Sequence, residues 1–232
     1  MKINVDKDAK IKKGATIIEG FPGFGLVGTI ATEFLIDHLH TKIVGEFAYE
    51  ELPPTTAIHD GKVVRPMALH YDDKHNILIF HTILNVKGHE WSAADEVARI
   101  ARECDAKEII SLEGVNALIP GEESTVFSYG NEQFVTLGAR EMNESIIMGV
   151  TAALLLRTKS TSCLFAETHS ALPDSKAAAA IIAILDKYLG LGIDSQPLLR
   201  QAQEFEQKLK TILQQTQKTT EEAEKKNLSY LG

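Results

Sequence analysis

The sequence predicts an α/β fold, with a mostly parallel central sheet flanked by helices and a C-terminal helical extension. Short apolar runs that are typical of buried strands alternate along the chain with stretches that carry apolar residues at helical spacing. From Leu198 to Asn227 glycine is absent and the apolar residues follow a heptad spacing. We therefore divide the 232 residues into an α/β domain, 1–194, and a C-terminal helix with its tail, 195–232.

The first half of the domain is predicted to alternate between buried strands and helices. Residues 72–75 are polar and lie between two strand-like runs, so they predict a β-hairpin. Ser92 is the expected N-cap of a strongly amphipathic helix, because a serine hydroxyl can accept a hydrogen bond from the first helical turn. The predicted elements are strands 15–19, 42–49, 63–71 and 76–83 and helices 26–39 and 89–104.

The second half continues this alternation. Residues 125–129 and 133–137 are predicted to form a pair of strands that turns at Gly130 and Asn131. Together with the hairpin at 72–75, this pair would add antiparallel strands at an edge of the sheet. The predicted elements are strands 108–112, 125–129, 133–137 and 162–166 and helices 146–156 and 174–188.

The composition argues against several classes of partner. A net charge of -8 leaves no general basic surface that could neutralise nucleic-acid phosphates. The N-terminus carries no apolar signal segment, and the apolar run 146–156 is shorter than the about 18 residues that span a membrane. We therefore expect a cytoplasmic protein that binds neither nucleic acid nor membrane. Cys104 and Cys163 are expected to be free, buried thiols.

The loop after the first strand contains Gly23, Gly25 and Gly28, which match the pattern G-x-G-x-x-G. One interpretation is a nucleotide-binding loop, in which the start of the helix binds phosphate. Proline and phenylalanine crowd this loop, however, and no lysine completes a phosphate-binding motif. The favoured interpretation is that the glycines allow a sharp turn and close packing of the helix on the sheet.

Other polar residues give weaker signals for chemistry. The histidines lack the spacing of a zinc site, although His70 and His81 lie on neighbouring predicted strands and could face each other. Glu113 and the segment 167–169 follow strands, where α/β folds place ligand sites. For 167–169 we favour hydrogen bonds at a helix start over catalysis. The sequence therefore predicts no catalytic residue, metal or cofactor.

The C-terminal extension carries a seam of apolar residues at alternating steps of four and three. This spacing predicts self-association or docking of a partner, and the alternative is a terminal helix that packs back on its own domain. The seam residues are Leu198, Ala202, Phe205, Leu209 and Ile212.

The segment 20–39, which begins GFPGFGLVG, resembles the opening signature of the PAC2 family, the proteasome assembly chaperone family. Later segments resemble that family in the same order, and the resemblance extends over about residues 15–199. The archaeal-type members are the most similar in overall pattern. The later matching segments are 112–115, 126–130, 149–156, 166–168 and 173–178.

The resemblance implies a phosphorylase/hydrolase-like α/β fold without an established catalytic activity. It also implies homo-oligomers and binding to proteasome α subunits or to factors that act on them. We therefore expect a non-enzymatic, oligomeric scaffold that acts as a chaperone of proteasome assembly. The alternative hypothesis is an enzyme that binds a nucleotide or nucleoside through the Gly23–Gly28 loop.

The tail is a candidate partner-binding element. Some members of the family, and the proteasomal ATPases, end in hydrophobic-Tyr-any. This chain ends differently, because Tyr230 is third from the end and Ser229 precedes it. An aromatic anchor on a projecting helix still suits recognition, and the alternative is a frayed terminus. The predicted tail residues are Leu228, Tyr230, Leu231 and Gly232.

Overall fold

The computed structural model describes residues 1–52, 56–59, 62–116, 124–168 and 172–194, together with residues 200, 203, 204, 207 and 211 of the C-terminal extension. The five predicted seam residues and the predicted tail at 228–232 lie outside this set; the seam residues are Leu198, Ala202, Phe205, Leu209 and Ile212. Their interpretation therefore stays a prediction, as does that of His169.

The described residues form one large sheet, a separate hairpin and helices on both faces of the sheet. The strands are β1 (Lys2–Val5), β2 (Thr16–Gly20), β3 (Lys42–Ala48), β4 (Ala57–His59), β5 (Lys62–Val64), β6 (Met67–Asp72), β7 (Ile77–Thr82), β8 (Glu108–Asn116), β9 (Val126–Tyr129), β10 (Arg140–Glu141) and β11 (Thr161–Thr168). The helices are α1 (Val27–Leu39), α2 (Glu90–Glu103), α3 (Glu132–Thr136), α4 (Gly149–Arg157) and α5 (Ser175–Leu189), and a single 3-10 turn (Phe24–Leu26) precedes α1.

The sheet is mixed, with the strand order β1-β3-β6-β7-β2-β8-β11-β9-β10. Only β7, β2, β8 and β11 form a continuous parallel group. On one side of this group β6, β3 and β1 pair antiparallel, and on the other side β9 pairs antiparallel with β11. The prediction of a mostly parallel sheet is therefore wrong. The short turn between β6 and β7 explains part of this outcome, since so short a connection can join only antiparallel strands.

The helices divide into two layers that bury different faces of the central strands. Helices α1 and α5 cover one face, where Ile18 of β2 joins their core. Helices α2 and α4 pack against each other over the opposite face, where Ile17 of β2 joins a second core. Because side chains alternate along a strand, Glu19 lies on the same face as Ile17. This places a carboxyl group under the α2–α4 layer.

Most predicted elements are present. Helix α5 could be predicted because residues at both of its ends mark where it begins and stops. The Asp174 carboxylate accepts a hydrogen bond from the Ala177 N–H at 3.0 Å, which caps the helix start. Gly190 ends the helix in the left-handed region, with a φ of 66°.

Cys104 and Cys163 are free and buried, as expected. Across the parts of the chain that the structure describes, none of the helices combines the length and the apolar character that crossing a lipid bilayer requires.

The predicted strand at 133–137 is wrong, because these residues belong to α3. The Asn131 side chain accepts a hydrogen bond from the Gln133 N–H at 3.0 Å and so caps a short helix. Phe134 is fully buried and packs edge-on against Tyr188, with ring centroids 4.8 Å apart. Burial of this ring against α5 and the cap at Asn131 both stabilise the helical conformation of the segment.

Two other predicted elements are placed or divided differently. The predicted strand 63–71 is interrupted at Pro66, which cannot donate to a strand ladder, and its first part pairs with β4 instead. The predicted helix 146–156 begins only at Gly149, and Ile146 before it is 90% exposed.

Ser92 is not an N-cap. Helix α2 begins at Glu90, so Ser92 lies within its first turn and its hydroxyl donates to the His89 carbonyl at 2.9 Å. Trp91 is 49% exposed and lies under the guanidinium of Arg157 from α4, 4.6 Å from the ring centroid. Arg157 also pairs with Asp95 at 2.8 Å, so these side chains connect α2 with α4.

Candidate functional site

The glycine-rich loop lies at the carboxyl end of β2, where the chain turns into α1. Gly28 packs directly against β8. A Cβ atom at this position would lie only 2.3 Å from the Leu112 carbonyl oxygen. The same atom would lie 2.9 Å from the Gly20 Cα. Only glycine allows α1 to approach the sheet this closely.

The other two glycines of the motif also face protein atoms. A Cβ at Gly23 would lie 2.1 Å from Oε1 of Glu113, and a Cβ at Gly25 would lie 2.9 Å from the Thr168 side chain. Gly25 also has a φ of 65°, which side-chain-bearing residues rarely adopt. A phosphate beside Gly23 would meet the Glu113 carboxylate. The geometry therefore favours the packing interpretation over the nucleotide-binding one.

Beneath this loop lies Glu19, a carboxyl group that is only 1% exposed. Its Oε2 accepts a hydrogen bond from the Phe21 N–H at 3.2 Å, whereas its Oε1 has no hydrogen-bond partner among the described residues. Burial raises the pKa of Glu19 to about 7, and the negative charge of Glu113 contributes to the rise. A buried oxygen without a donor is costly, so this position requires explanation.

Glu113 lies on the same face, two residues beyond the register partner of Glu19. That partner is Ser111, on the neighbouring parallel strand β8. Thr151, in the first turn of α4, donates from its hydroxyl to Glu113 Oε2 at 2.5 Å. Burial raises the pKa of Glu113 to about 7, and the hydrogen bond from Thr151 opposes this rise.

A chain of hydroxyl groups runs from Glu113 back towards Glu19. The Thr151 hydroxyl lies 2.8 Å from the Ser111 hydroxyl. A hydrogen bond from the Ser111 hydroxyl to the Glu19 carboxyl group partly offsets the rise in the pKa of Glu19 that burial causes. Burial, together with the charges of Glu19 and Glu113, raises the pKa of the neighbouring Cys163 thiol and makes it a poor nucleophile.

Glu113 opens onto a groove of about 750 Å³ at the carboxyl edge of the central strands. Its lining includes the partly exposed residues Phe24 and Phe127, whereas Phe165, which also belongs to the lining, is only 1% exposed. Among the described lining residues, the charged side chains are all carboxylates. These carboxylates are Glu113, Glu141, Glu144 and Glu167.

The two histidines that the sequence placed on neighbouring strands do face each other, on the other side of the sheet. The rings of His70 and His81 are 6.4 Å apart between centroids. His81 also contacts Glu33 at 3.0 Å, and burial, with His81 nearby, lowers the pKa of His70 to about 4. Within the described residues, no group of three or more histidine, cysteine or acidic side chains could hold a metal ion.

Of the predicted polar segment 167–169, Thr168 takes part in the start of α5. Its hydroxyl donates to the Asp174 carboxylate at 2.8 Å, in agreement with the favoured interpretation. Glu167 lines the groove. The sequence interpretation missed Glu19, Ser111 and Thr151. For Glu19 a signal was available, since a lone acidic residue follows two isoleucines in a short strand.

Two crystal structures of Pyrococcus furiosus proteins share this fold over most of the chain. The crystal structure of Pyrococcus furiosus PbaA, described as an archaeal homolog of proteasome-assembly chaperone, is 27% identical, with a TM-score of 0.77 and coverage of 97% of this chain and 98% of that one. Pyrococcus furiosus PbaB, described as an archaeal proteasome activator, is 25% identical, with a TM-score of 0.71 and coverage of 91% and 98%.

An uncharacterised protein from Methanocaldococcus jannaschii is 27% identical over 232 residues, which are 96% of each chain. The model of the PAC2 family matches residues 17–213, and this range includes the glycine loop and the parallel group from Ile17 of β2 onward. The chain therefore belongs to the PAC2 family.

Proposed function

We propose that this protein is a chaperone-like, non-enzymatic scaffold of proteasome assembly, which binds proteasome α subunits or factors that act on them. The observation that carries the proposal is the full-length likeness to Pyrococcus furiosus PbaA, an archaeal homolog of proteasome-assembly chaperone. The likeness extends over 97% of this chain and 98% of that one, so it is not confined to one shared domain.

The glycine loop supports a scaffold over the alternative of a nucleotide- or nucleoside-binding enzyme. Each of the three glycines has a protein atom within 3 Å of the position its Cβ would take. The polar group nearest Gly23 is a carboxylate, which repels phosphate.

The proposal includes self-association through the apolar seam of the extension, from Leu198 to Ile212, and recognition of a partner by the tail at 228–232. Both regions have the residue types for these roles. A cytoplasmic location is part of the same proposal, because proteasome α subunits would be met there.

The test is light-scattering mass measurement on a sizing column, for the protein alone and mixed with proteasome α subunits from the same source. The proposal predicts a defined oligomer that co-elutes with the α subunits. A monomer that elutes separately from them would contradict it. Replacing Leu209 and Ile212 with aspartate should abolish self-association, and a variant without residues 228–232 tests the tail separately.

A further inference from the structure

We propose that the groove at Glu113 binds an extended segment of a partner protein in which a lysine is flanked by apolar residues. The lysine ammonium group would contact Glu113, and the flanking residues would cover the apolar rim of the groove. The inference rests on the proposed role as a scaffold that binds other proteins, and it names the chemistry that such a partner presents.

The charges in the groove favour a cation. Its described lining contains carboxylates and no lysine, arginine or histidine. Glu113 uses Oε2 for the bond from Thr151, and Oε1 points beside Gly23 without a donor from the described residues. A site whose charged groups are all carboxylates is matched by a ligand that brings positive charge, and an ammonium group has three N–H donors.

Glu19 lies behind the groove and does not line it, but its carboxyl group adds to the negative charge at Glu113. It is nine-tenths or more buried, its Oε1 has no partner among the described residues, and its carboxyl group lies on the same sheet face as Glu113. Two neighbouring carboxyl groups in a buried position repel each other when both are ionised. A cation at Glu113 removes this repulsion, so the pair is arranged for a positively charged partner group.

The apolar surroundings favour a peptide over a free amine. Phe24 and Phe127 are partly exposed where they line the groove, and the aliphatic stem of a lysine can lie along them. At the rim, Ile146 is 90% exposed and Met148 is 76% exposed, on the connection between β10 and α4. A small amine would occupy Glu113 and leave these side chains in water. A peptide segment would cover both and bury their apolar surface.

The experiment uses the full-length protein with ¹³C-methyl-labelled methionine and a blocked pentapeptide, Val-Leu-Lys-Leu-Val. The Met148 methyl signal lies at the rim, and Met67 is buried away from the groove and serves as an internal reference. The lysine peptide should shift the Met148 signal saturably and leave Met67 unchanged. The same peptide with norleucine in place of lysine should bind at least about tenfold more weakly.

Variants at Glu113 and at a control position test whether the lysine peptide binds in the groove. Glu113→Gln should weaken the lysine peptide by about tenfold or more, whereas Glu132→Gln, an exposed carboxylate on α3, should not. If Glu113→Gln does not fold, Glu144→Lys at the exposed rim provides the same test. Equal affinity for the lysine and norleucine peptides overturns the proposal. Butylamine that binds as tightly as the peptide overturns the peptide assignment in favour of a small amine.

Failure of this inference can be told apart from failure of the proposed function. If the wild-type protein and Glu113→Gln both co-elute with proteasome α subunits while the lysine peptide does not bind, the groove is refuted and the chaperone role stands. If the peptide binds at Met148 but α subunits do not co-elute, the groove is supported and the α-subunit partner is refuted.

Discussion

Replacing Glu19 with glutamine is expected to make the protein more stable at alkaline pH and to leave its stability at acid pH almost unchanged. Glutamine keeps the shape of the side chain and the acceptor for the Phe21 N–H. It removes the negative charge that burial makes costly. The variant therefore isolates one ionisation in the core.

The magnitude follows from the pKa of Glu19, which burial raises from an ordinary value of 4.5 to about 7. One pKa unit corresponds to about 1.4 kcal/mol, so the rise corresponds to about 3 kcal/mol. Below pH 4.5 the group is protonated in both states and contributes nothing. Between pH 4.5 and about 7 only the unfolded chain ionises, so the free energy of unfolding falls as pH rises. Above about pH 7 Glu19 is ionised in both states, so its ionisation lowers the free energy of unfolding no further.

The assay is urea unfolding of the wild type and Glu19→Gln at a series of pH values. The difference in free energy of unfolding should grow in favour of the variant by about 3 kcal/mol from about pH 4 to about pH 8. Glu113 keeps its own raised pKa, so the variant retains a residual slope of the same sign. Glu132→Gln, at the surface, controls for the chemical change alone. Parallel pH profiles for wild type and Glu19→Gln would refute the reasoning.

Three further predictions concern stability and use the same unfolding assay. Gly28→Ala should cost about 3 kcal/mol or more, because its Cβ meets the Leu112 carbonyl at 2.3 Å. Gly14→Ala, which meets nothing within 4 Å and has a φ of 73°, should cost only about 1–2 kcal/mol, and equal losses would contradict the packing role. Asp174→Ala should cost about 1–2 kcal/mol through the lost cap of α5, and an unchanged midpoint would exclude that cap. Phe134→Ala should cost about 3–5 kcal/mol, since the ring is fully buried; a loss typical of a surface residue would mean that α3 does not depend on it.

The elements that could be predicted from the sequence are those fixed by local signals. Helix α5 begins at a capping aspartate, Asp174, and ends at Gly190, and both are visible in the sequence. The hairpin at 72–75 is confirmed for the same reason, because a polar turn joins two apolar runs. Whether neighbouring strands run parallel or antiparallel could not be predicted in this way. It depends on which distant strands become neighbours, and no local pattern encodes that choice.

The candidate site was largely missed because its members meet only through the fold. Glu19 and Ser111 are far apart in sequence and become neighbours through the register of β2 and β8. Thr151 joins them from a third element, and its place in the apolar start of α4 gives no sign of a polar contact. Glu113 was noticed because it follows an apolar run predicted to be a strand. The contact of Glu113 with Thr151, and of Thr151 with Ser111, could be identified only once the strand order was known.

The contact between Trp91 and Arg157 gives the protein a built-in optical reporter. Trp91 is the only tryptophan in the chain, so all tryptophan fluorescence arises from one position on α2. Arg157 reaches this ring from the last turn of α4, and Thr151 lies in the first turn of the same helix. Any event that moves α4, such as the filling of the groove at Glu113 or the ionisation of the carboxyl pair, would alter the emission without a label.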